Sequence, residues 1–559
     1  MEQKNLERGE LMMPESTVEN QKPVRKNGNR IKRPGPEERK RNKTTKARHV
    51  KCDETRPACL RCLRISDEYC KGYEHTIIPR CVAERRVLLP LSVLKAAPAF
   101  GRHGSQDEVG AFRAYCEKVA PRLSYSNDEV WQRLLLQAGQ ENEFIRNAIF
   151  AIGGFSRRTD SSRTSGEGYT GIDAVKSDKA ALAQYGKFLE GTKKYIASTG
   201  RKEGRRLAMI ACLLVVCIEN MQYRPHNALR HAQQGLKLVD EISEDERSSS
   251  AETIETELMQ QFSRLDLQIV GCYDVQAKDV HRKLKGEGAN LIREMPASFS
   301  TIEEAGEYLD LIMRRAFHFM AYTNLVHKAQ FKFGLEDGTS HKMLCIGDDE
   351  RQPRSTQFVV QIEHEIYVSE IRRWDKAFER LFTEVLWNPN HPNAIRALMM
   401  KVHSITTALS LADHLSTSEL HWDDLLPEFR SIVYFSKKLL EHPAYVKGQF
   451  AFDMGLIYPL IMPTLNCRDR KLRREAIDLL SETPWREAHW DSAHTADVAK
   501  FVMQVEEEGV ETEFIPEWAR VSSFEVDIQM STGMVYLSCL RGVGEAAVTV
   551  EGTLDWSGT

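Results

Sequence analysis

The chain has 559 residues, 42% of them hydrophobic and 28% charged, with a formal net charge of −3 at pH 7. That length allows several domains or one large helical one, since single cores stop growing at roughly 250–300 residues, and the composition is ordinary for a soluble globular protein, so it names no partner. The near-neutral total conceals an asymmetry: residues 1–90 carry 22 Lys and Arg against 13 Asp and Glu, leaving 55 against 67 for the rest, as expected when one end meets a polyanion such as nucleic acid.

The first thirty residues hold neither an apolar run nor a cleavage-site pattern, which argues against a secretory signal and for an intracellular protein. Residues 1–46 are polar and lack periodic apolar positions, so residues 1–40 are expected to form a disordered basic N-terminus. The stretch "RIKRPGPEERKRNKTTKARHVK" has the Lys and Arg density of a nuclear localisation signal or a nucleic-acid patch.

Next comes "RNKTTKARHVKCDETRPACLRCLRISDEYCKGY" (41–73), which holds four of the twelve cysteines: Cys52, Cys59, Cys62 and Cys70. A C-x2-C flanked by further cysteines in a reducing compartment reads as a thiolate metal site, because a short loop places two sulfurs on one tetrahedral zinc. Four thiolates suffice for one structural zinc. The other cysteines (Cys81, Cys116, Cys212, Cys217, Cys272, Cys345, Cys467 and Cys539) are scattered and are expected to be packed thiols.

Residues 76–110 read as a linker without sustained heptads, leaving the oligomeric state open. From about 111 the apolar spacing becomes helical. Trp131, Leu134 and Leu135, then Phe144, Ile145, Ala148, Ile149 and Ile152, predict two helices. A Ser, Thr and Gly-rich loop is expected over 157–179. "ALAQYGKFLEGTKKYIA", "RRLAMIACLLVVCIENM" and "PHNALRHAQQGLKLVDEI" predict three successive helices, with Pro225 at the start of the third. The longest apolar run, residues 207–218, falls short of the ~20 residues of a membrane helix and reads as a buried one. Further helices are predicted over 305–329, 394–415 and 470–482, with polar breaks at 243–253 and 346–357. The end of the chain alternates apolar and polar residues across "STG", predicting a hairpin. The expected fold is therefore mostly α: a small cysteine-rich zinc module, then a large all-helical regulatory domain with a short C-terminal β-hairpin.

The string "KARHVKCDETRPACLRC" followed by "CKGY" resembles the fungal Zn(II)2Cys6 binuclear-cluster family of transcription factors. In that family six thiolates, C-x2-C-x6-C, a proline-containing linker and C-x2-C-x6–9-C, bind two zincs. By position Cys52, Cys59, Cys62 and Cys70 match the third to sixth cysteines, and Pro57 falls in the linker. Arg48, His49 and Lys51 fall in the stretch that addresses DNA, with Lys43 and Lys46 beside it. Asn42 and Thr45 stand where the first two cysteines belong.

The resemblance thus implies double-stranded DNA, with CGG-type triplets, as partner, but a cluster short of one bridging ligand. One zinc rather than two is expected, its fourth ligand being Cys52, His49 or water. Phosphate attraction depends on charge and should persist, whereas base readout needs a rigid platform. Helical segments such as "VWQRLLLQAGQENEFIRNAIFAIGGFSR" and "GLIYPLIMPTLNCRDRKLRREAIDLLSETPWREAHWDS" resemble the regulatory domain found downstream in filamentous fungi.

The implied organisation is 1–40 basic terminus, 41–75 degenerate zinc module, 76–110 linker, 111–510 helical domain and 511–559 C-terminal extension with the hairpin. The implied function is nuclear regulation of RNA polymerase II transcription, as of a biosynthetic gene cluster, through DNA and the transcription machinery or co-regulators. The alternative is an interaction protein that retains the helical domain and no longer reads DNA.

Enzyme motifs are incomplete. "GVGEAA" (542–547) has no room after it for a βαβ unit and is expected to be a turn. "HEIYV" has Val368 where a zinc protease needs histidine, so His364 and Glu365 are expected to be solvated. "WDDLLPE" and "GDDER" pair carboxylates without a pocket. Phe317, Phe319, Met320 and Trp374 are expected in the core. The chain is not expected to be an enzyme or to enter a membrane.

Overall fold

The computed structural model describes residues 105–557 except 126–128, 162–170, 200–203, 243–255, 273–275, 324–328, 335–339, 344–353, 389, 417, 444, 446–449 and 530–531. The chain divides at Leu88/Leu89, and every described residue belongs to the second unit.

Local chemistry sets the first helices. Ser105 and Glu108 form a reciprocal capping box that starts α1 (Gln106–Ala114), satisfying amides that the helix itself leaves free. A π turn, Tyr115–Val119, follows, and a second, Val130–Leu134, leads into α2 (Leu135–Glu141). The Tyr115 hydroxyl donates to the Trp131 carbonyl at 2.7 Å, tying the two π turns together. α3 (Glu143–Ser161) and α4 (Gly171–Ser198) form the next pair. The "GG" of "FAIGGFSR" explains their close approach: a Cβ on Gly153 would lie 1.9 Å from the Ala111 carbonyl oxygen of α1, and one on Gly154 would lie 2.8 Å from Cβ of Ala181 in α4. The backbone is helical through Ser161 and again from Gly171, so both ends of the stretch 157–179, predicted as a loop, are helical.

α5 (Arg205–Met221) contains the long apolar run and is buried along most of its length. α6 (Pro225–Asp240) starts with Pro225, as predicted, and α7 (Thr256–Cys272) lies against it. α1 to α7 enclose one hydrophobic core, from Ala111 to Ile269, to which the sequence-distant Phe452 is added.

A second core runs from Leu267 to Ala499. α8 (Lys278–Leu284) packs on α10 (Ile302–Thr323), and the core itself is built by α9 (Ala289–Arg293), α10, α11 (Arg354–Trp387), α12 (Ala394–His414), α13 (Leu426–Glu441), α14 (Ile457–Asn466), α15 (Arg470–Ser481) and α16 (Ser492–Glu507). Asp469 and Asp491 cap α15 and α16 through their carboxylates. Phe317, Phe319, Met320 and Trp374 are all buried here, as expected. His364 corrects its prediction: it is buried, with Nε2 2.8 Å from the Leu411 carbonyl, because it shares the inward face of α11 with Tyr367, Ile371 and Trp374, while Glu365 is exposed.

The predicted hairpin is β6 (Val521–Gln529) and β7 (Met534–Arg541), antiparallel; "GVGEAA" makes the turn after it, with Gly542 and Gly544 at positive φ. The sheet is larger than predicted. β8 (Val548–Asp555) pairs with β7, and β1 (Ala329–Gly334), paired with β2 (Ser340–Met343), runs parallel to β6. Ala329 is therefore the first residue of a strand, where the sequence predicted the end of a helix; of that helix, α10 is described to Thr323. The inner face, with Phe524, Val526, Val535, Leu537 and Cys539, packs on Val498 and Val502 of α16. Short pairs, β3 (Phe450–Ala451) with β4 (Arg486–Glu487) and β4 with β5 (Trp490–Asp491), complete the unit. Among the described residues no helix is long and apolar enough to cross a membrane.

Candidate functional site: the junction of two cores, and the predicted zinc and DNA residues

The residues expected to hold metal (Cys52, Cys59, Cys62, Cys70) and to address DNA (Lys43, Lys46, Arg48, His49, Lys51) lie outside the described residues. The body bears on them by contrast. Cys116, Cys212, Cys217, Cys467 and Cys539 are free thiols, all half-buried or buried. Burial pushes Cys116 and Cys539 up to about 12 and Cys212 and Cys467 up to about 11, and raises Cys217 as well. Thiols so raised stay protonated at neutral pH and make poor zinc ligands. Among the described residues no group of three or more His, Cys, Asp or Glu is placed to hold a metal ion.

The two cores are joined by "FAFD", residues 450–453. The Phe452 and Asp453 amides both donate to the Leu123 carbonyl, at 2.9 and 3.0 Å, and the Phe452 ring sits 4.8 Å from that of Trp131. The Asp453 carboxylate, 3% exposed, accepts from Ser124 Oγ at 2.5 Å and Gln261 Nε2 at 2.8 Å, with Arg264 Nε at 3.6 Å. Gln268 donates to the Phe452 carbonyl. Nearby, Arg486 donates to the Asn220 and Met221 carbonyls and stacks 3.3 Å over the Tyr223 ring, and Tyr125 stacks on Tyr445. Beneath the segment, buried Glu487 accepts from the amides of Gly455, Leu456 and Ile457 and from Trp485 Nε1, so one carboxylate both caps α14 and fixes the end of "FAFD".

A second polar cluster ties α7, α8 and α10. Asp266 accepts from His318 Nε2 at 2.8 Å and Arg314 at 2.6 Å, and His318 Nδ1 lies 2.9 Å from His281 Nδ1. Burial alone would raise the Asp266 carboxyl, but the His318 hydrogen bond and the Arg314 guanidinium hold it well below the usual carboxylate range. Arg315 makes a bidentate pair with Glu370 of α11. A His–Asp pair can serve a nucleophile, but His281, His318 and Asp266 are at most 2% exposed and their bonds are spent on neighbouring helices. The arrangement positions helices. Near the sheet Glu506 plays the same part, accepting from Arg468 and Arg473 and from the Val521 amide that opens β6.

None of these junction residues was singled out by sequence. The signal that could have found them is a lone charge inside an apolar run: Asp453 in "FAFDMGLI", Asp266 in "LDLQIV", His318 in "AFHFM". Such a charge must find partners or be neutralised.

Comparison with known proteins gives two segment-level matches. Residues 46–77 match the fungal Zn(2)-Cys(6) binuclear cluster domain, and residues 111–267 match the fungal specific transcription factor domain. The second match is nearly coextensive with the first core. The first contains all four cysteines of the cluster and begins after Asn42 and Thr45. An uncharacterized transcriptional regulatory protein of Schizosaccharomyces pombe is 37% identical over 91 residues, 15% of this chain and 16% of that protein. No solved structure matches. The zinc-cluster segment, the regulatory segment and this relative agree: over these segments the chain is similar to fungal Zn(2)-Cys(6) transcription factors, and it spans only about a sixth of the length of the relative it matches.

Proposed function

We propose that the protein is a nuclear regulator of transcription by RNA polymerase II that contacts double-stranded DNA through residues 41–75, the helical body over 111–510 and the extension over 511–559 serving as its regulatory part. The single observation that carries this reading is the zinc-cluster match over 46–77 followed by the regulatory-domain match from 111. Cys52, Cys59, Cys62 and Cys70 are the donor set, and their chemistry fits one zinc: four thiolates neutralise and enclose a single tetrahedral ion. The metal would supply a fixed scaffold for a segment with few apolar residues to pack. Arg48 and Lys51 are the residues to donate to guanine O6 and N7 in a CGG-type triplet, with Lys43, Lys46 and His49 on phosphates. Control of a biosynthetic gene cluster is the physiological setting proposed.

A second reading is favoured by one specific feature. Asn42 and Thr45 replace two ligands on the side of the cluster that positions the DNA-reading residues in the family. Under that reading the body acts through other regulators and DNA is held by charge alone. The full-length protein titrated with CGG-containing and scrambled duplexes at several salt concentrations separates the two. Direct reading gives a preference that survives at high salt; charge alone gives equal affinities that fall together as salt rises.

A further inference from the structure

α4 is 28 residues long, and over residues 179–198 its buried positions lie on one side. Ala181, Tyr185 and Phe188 face the first core, 2%, 6% and 0% exposed, whereas Leu182, Leu189 and Ile196 are 46%, 41% and 54% exposed. These three recur at intervals of seven, which on an α-helix makes a slowly drifting stripe of the kind a second helix covers by supercoiling around it. Gly186 lies within the stripe, and nothing stands within 4 Å of where its Cβ would be, so a partner's side chain can enter there.

Charge selects the occupant. On the solvent side the stripe is bordered by exposed Lys179, Lys187, Lys193 and Lys194. Glu190 is the sole carboxylate between residues 179 and 196 and is already paired with Lys194 at 2.8 Å; Lys187 also neighbours Glu108 of α1. A second copy would set lysines against lysines. Duplex DNA would meet the lysines but leave the apolar stripe in water. A helix with leucines on one side and carboxylates beside them satisfies both. We propose that the outer face of α4 docks an acidic amphipathic helix of a partner protein. The proposal rests on neither the zinc module nor DNA reading.

The test uses the full-length protein and a labelled synthetic helix of about three heptads, leucine at the core positions and glutamate at the flanks, with a lysine-flanked and a scrambled version as companions. Binding is read by fluorescence anisotropy. The protein is expected to bind the glutamate helix in preference to both companions, and the preference to weaken between about 50 and about 300 mM salt. Leu182→Gln with Leu189→Gln should weaken binding by at least about tenfold, and Lys187→Glu with Lys193→Glu should transfer the preference to the lysine helix. All four positions are exposed, and circular dichroism of each variant confirms an unchanged fold. Failure to bind any helix, equal binding of the three, or an unaffected leucine variant would overturn the proposal. So would self-association in sedimentation that the leucine variant abolishes, which assigns the face to a second copy. DNA binding that the lysine variant loses and the leucine variant keeps, with no helix bound, assigns it to nucleic acid.

Discussion

Removal of the Asp453 carboxylate measures how strongly the two helical cores are joined. In Asp453→Ala, Ser124 and Gln261 lose their acceptor, at 2.5 and 2.8 Å, and the Arg264 guanidinium loses a carboxylate 3.6 Å away. Removing one partner of a buried charged cluster costs about 3–5 kcal/mol. Arg264 keeps Gln261 Oε1 at 2.8 Å and Asp310 at 3.4 Å, which places the expected loss at the low end, about 3 kcal/mol. Asp453→Asn retains one carbonyl acceptor and should lose about half as much. Urea unfolding followed by circular dichroism gives the stability change, and hydrogen exchange gives its location. Exchange should accelerate over 450–456, 121–125 and 259–268, where the segment is held, and stay unchanged in α15 and α16. Glu475→Ala, which removes an exposed partner of Lys437, is the control and should change stability by less than about 0.5 kcal/mol. If Asp453→Ala lies within that control's range, or its exchange rises uniformly, the carboxylate does not join the cores.

Acid should weaken the body through its buried histidines. Burial depresses His403 to about 4 and His489 to about 3, against an ordinary 6.5. Both stay neutral when folded, so their contribution is complete above pH 6.5 and is lost as pH falls toward those values. Between pH 6 and 4.5 the slope should approach about 1.4 kcal/mol per pH unit per histidine, and His403→Leu should remove one such share; an unchanged slope contradicts the assignment. Brief alkylation at pH 7.5 without denaturant, read by mass spectrometry, should spare Cys116, Cys212, Cys217, Cys467 and Cys539 and label Cys52, Cys59, Cys62 and Cys70 unless zinc is present; labelling of the buried set, or no protection by zinc, goes against the reading. Trp374→Ala empties a fully buried site beside Phe299 and Phe378 and should cost about 3–5 kcal/mol in the same urea experiment; a loss under about 1 kcal/mol would mean the second core does not depend on it.

The helices were legible because their apolar residues recur at helical spacing and their ends carry local signals, as at Pro225. What failed to read was long-range. The backbone of 329–334 is a strand because it lies beside β6, almost two hundred residues later, and nothing within "AQFKFG" announces that neighbour. His364 looked solvated from "HEIYV" because neighbouring charges mask its place on the inward face of α11. The hairpin was visible by its alternation, and β8 was not, since "VTVEGTLD" is a weakly apolar edge strand that gains its partner only after β7 forms. Asp453 and Asp266 likewise acquire meaning only when residues far apart in the chain close around them. The cysteine cluster is the opposite case: its four cysteines lie within nineteen residues, so a metal site could be proposed from their spacing alone.

Whether residues 41–75 read DNA is decided by the zinc content per chain of the purified protein together with its binding to CGG-containing and scrambled duplexes, measured on the same sample. One zinc is expected, removable by a chelator together with the preference for the CGG duplex, while the unfolding of the helical body stays unchanged. No zinc, or equal affinity for the two duplexes at every salt concentration, would contradict direct reading of DNA by residues 41–75.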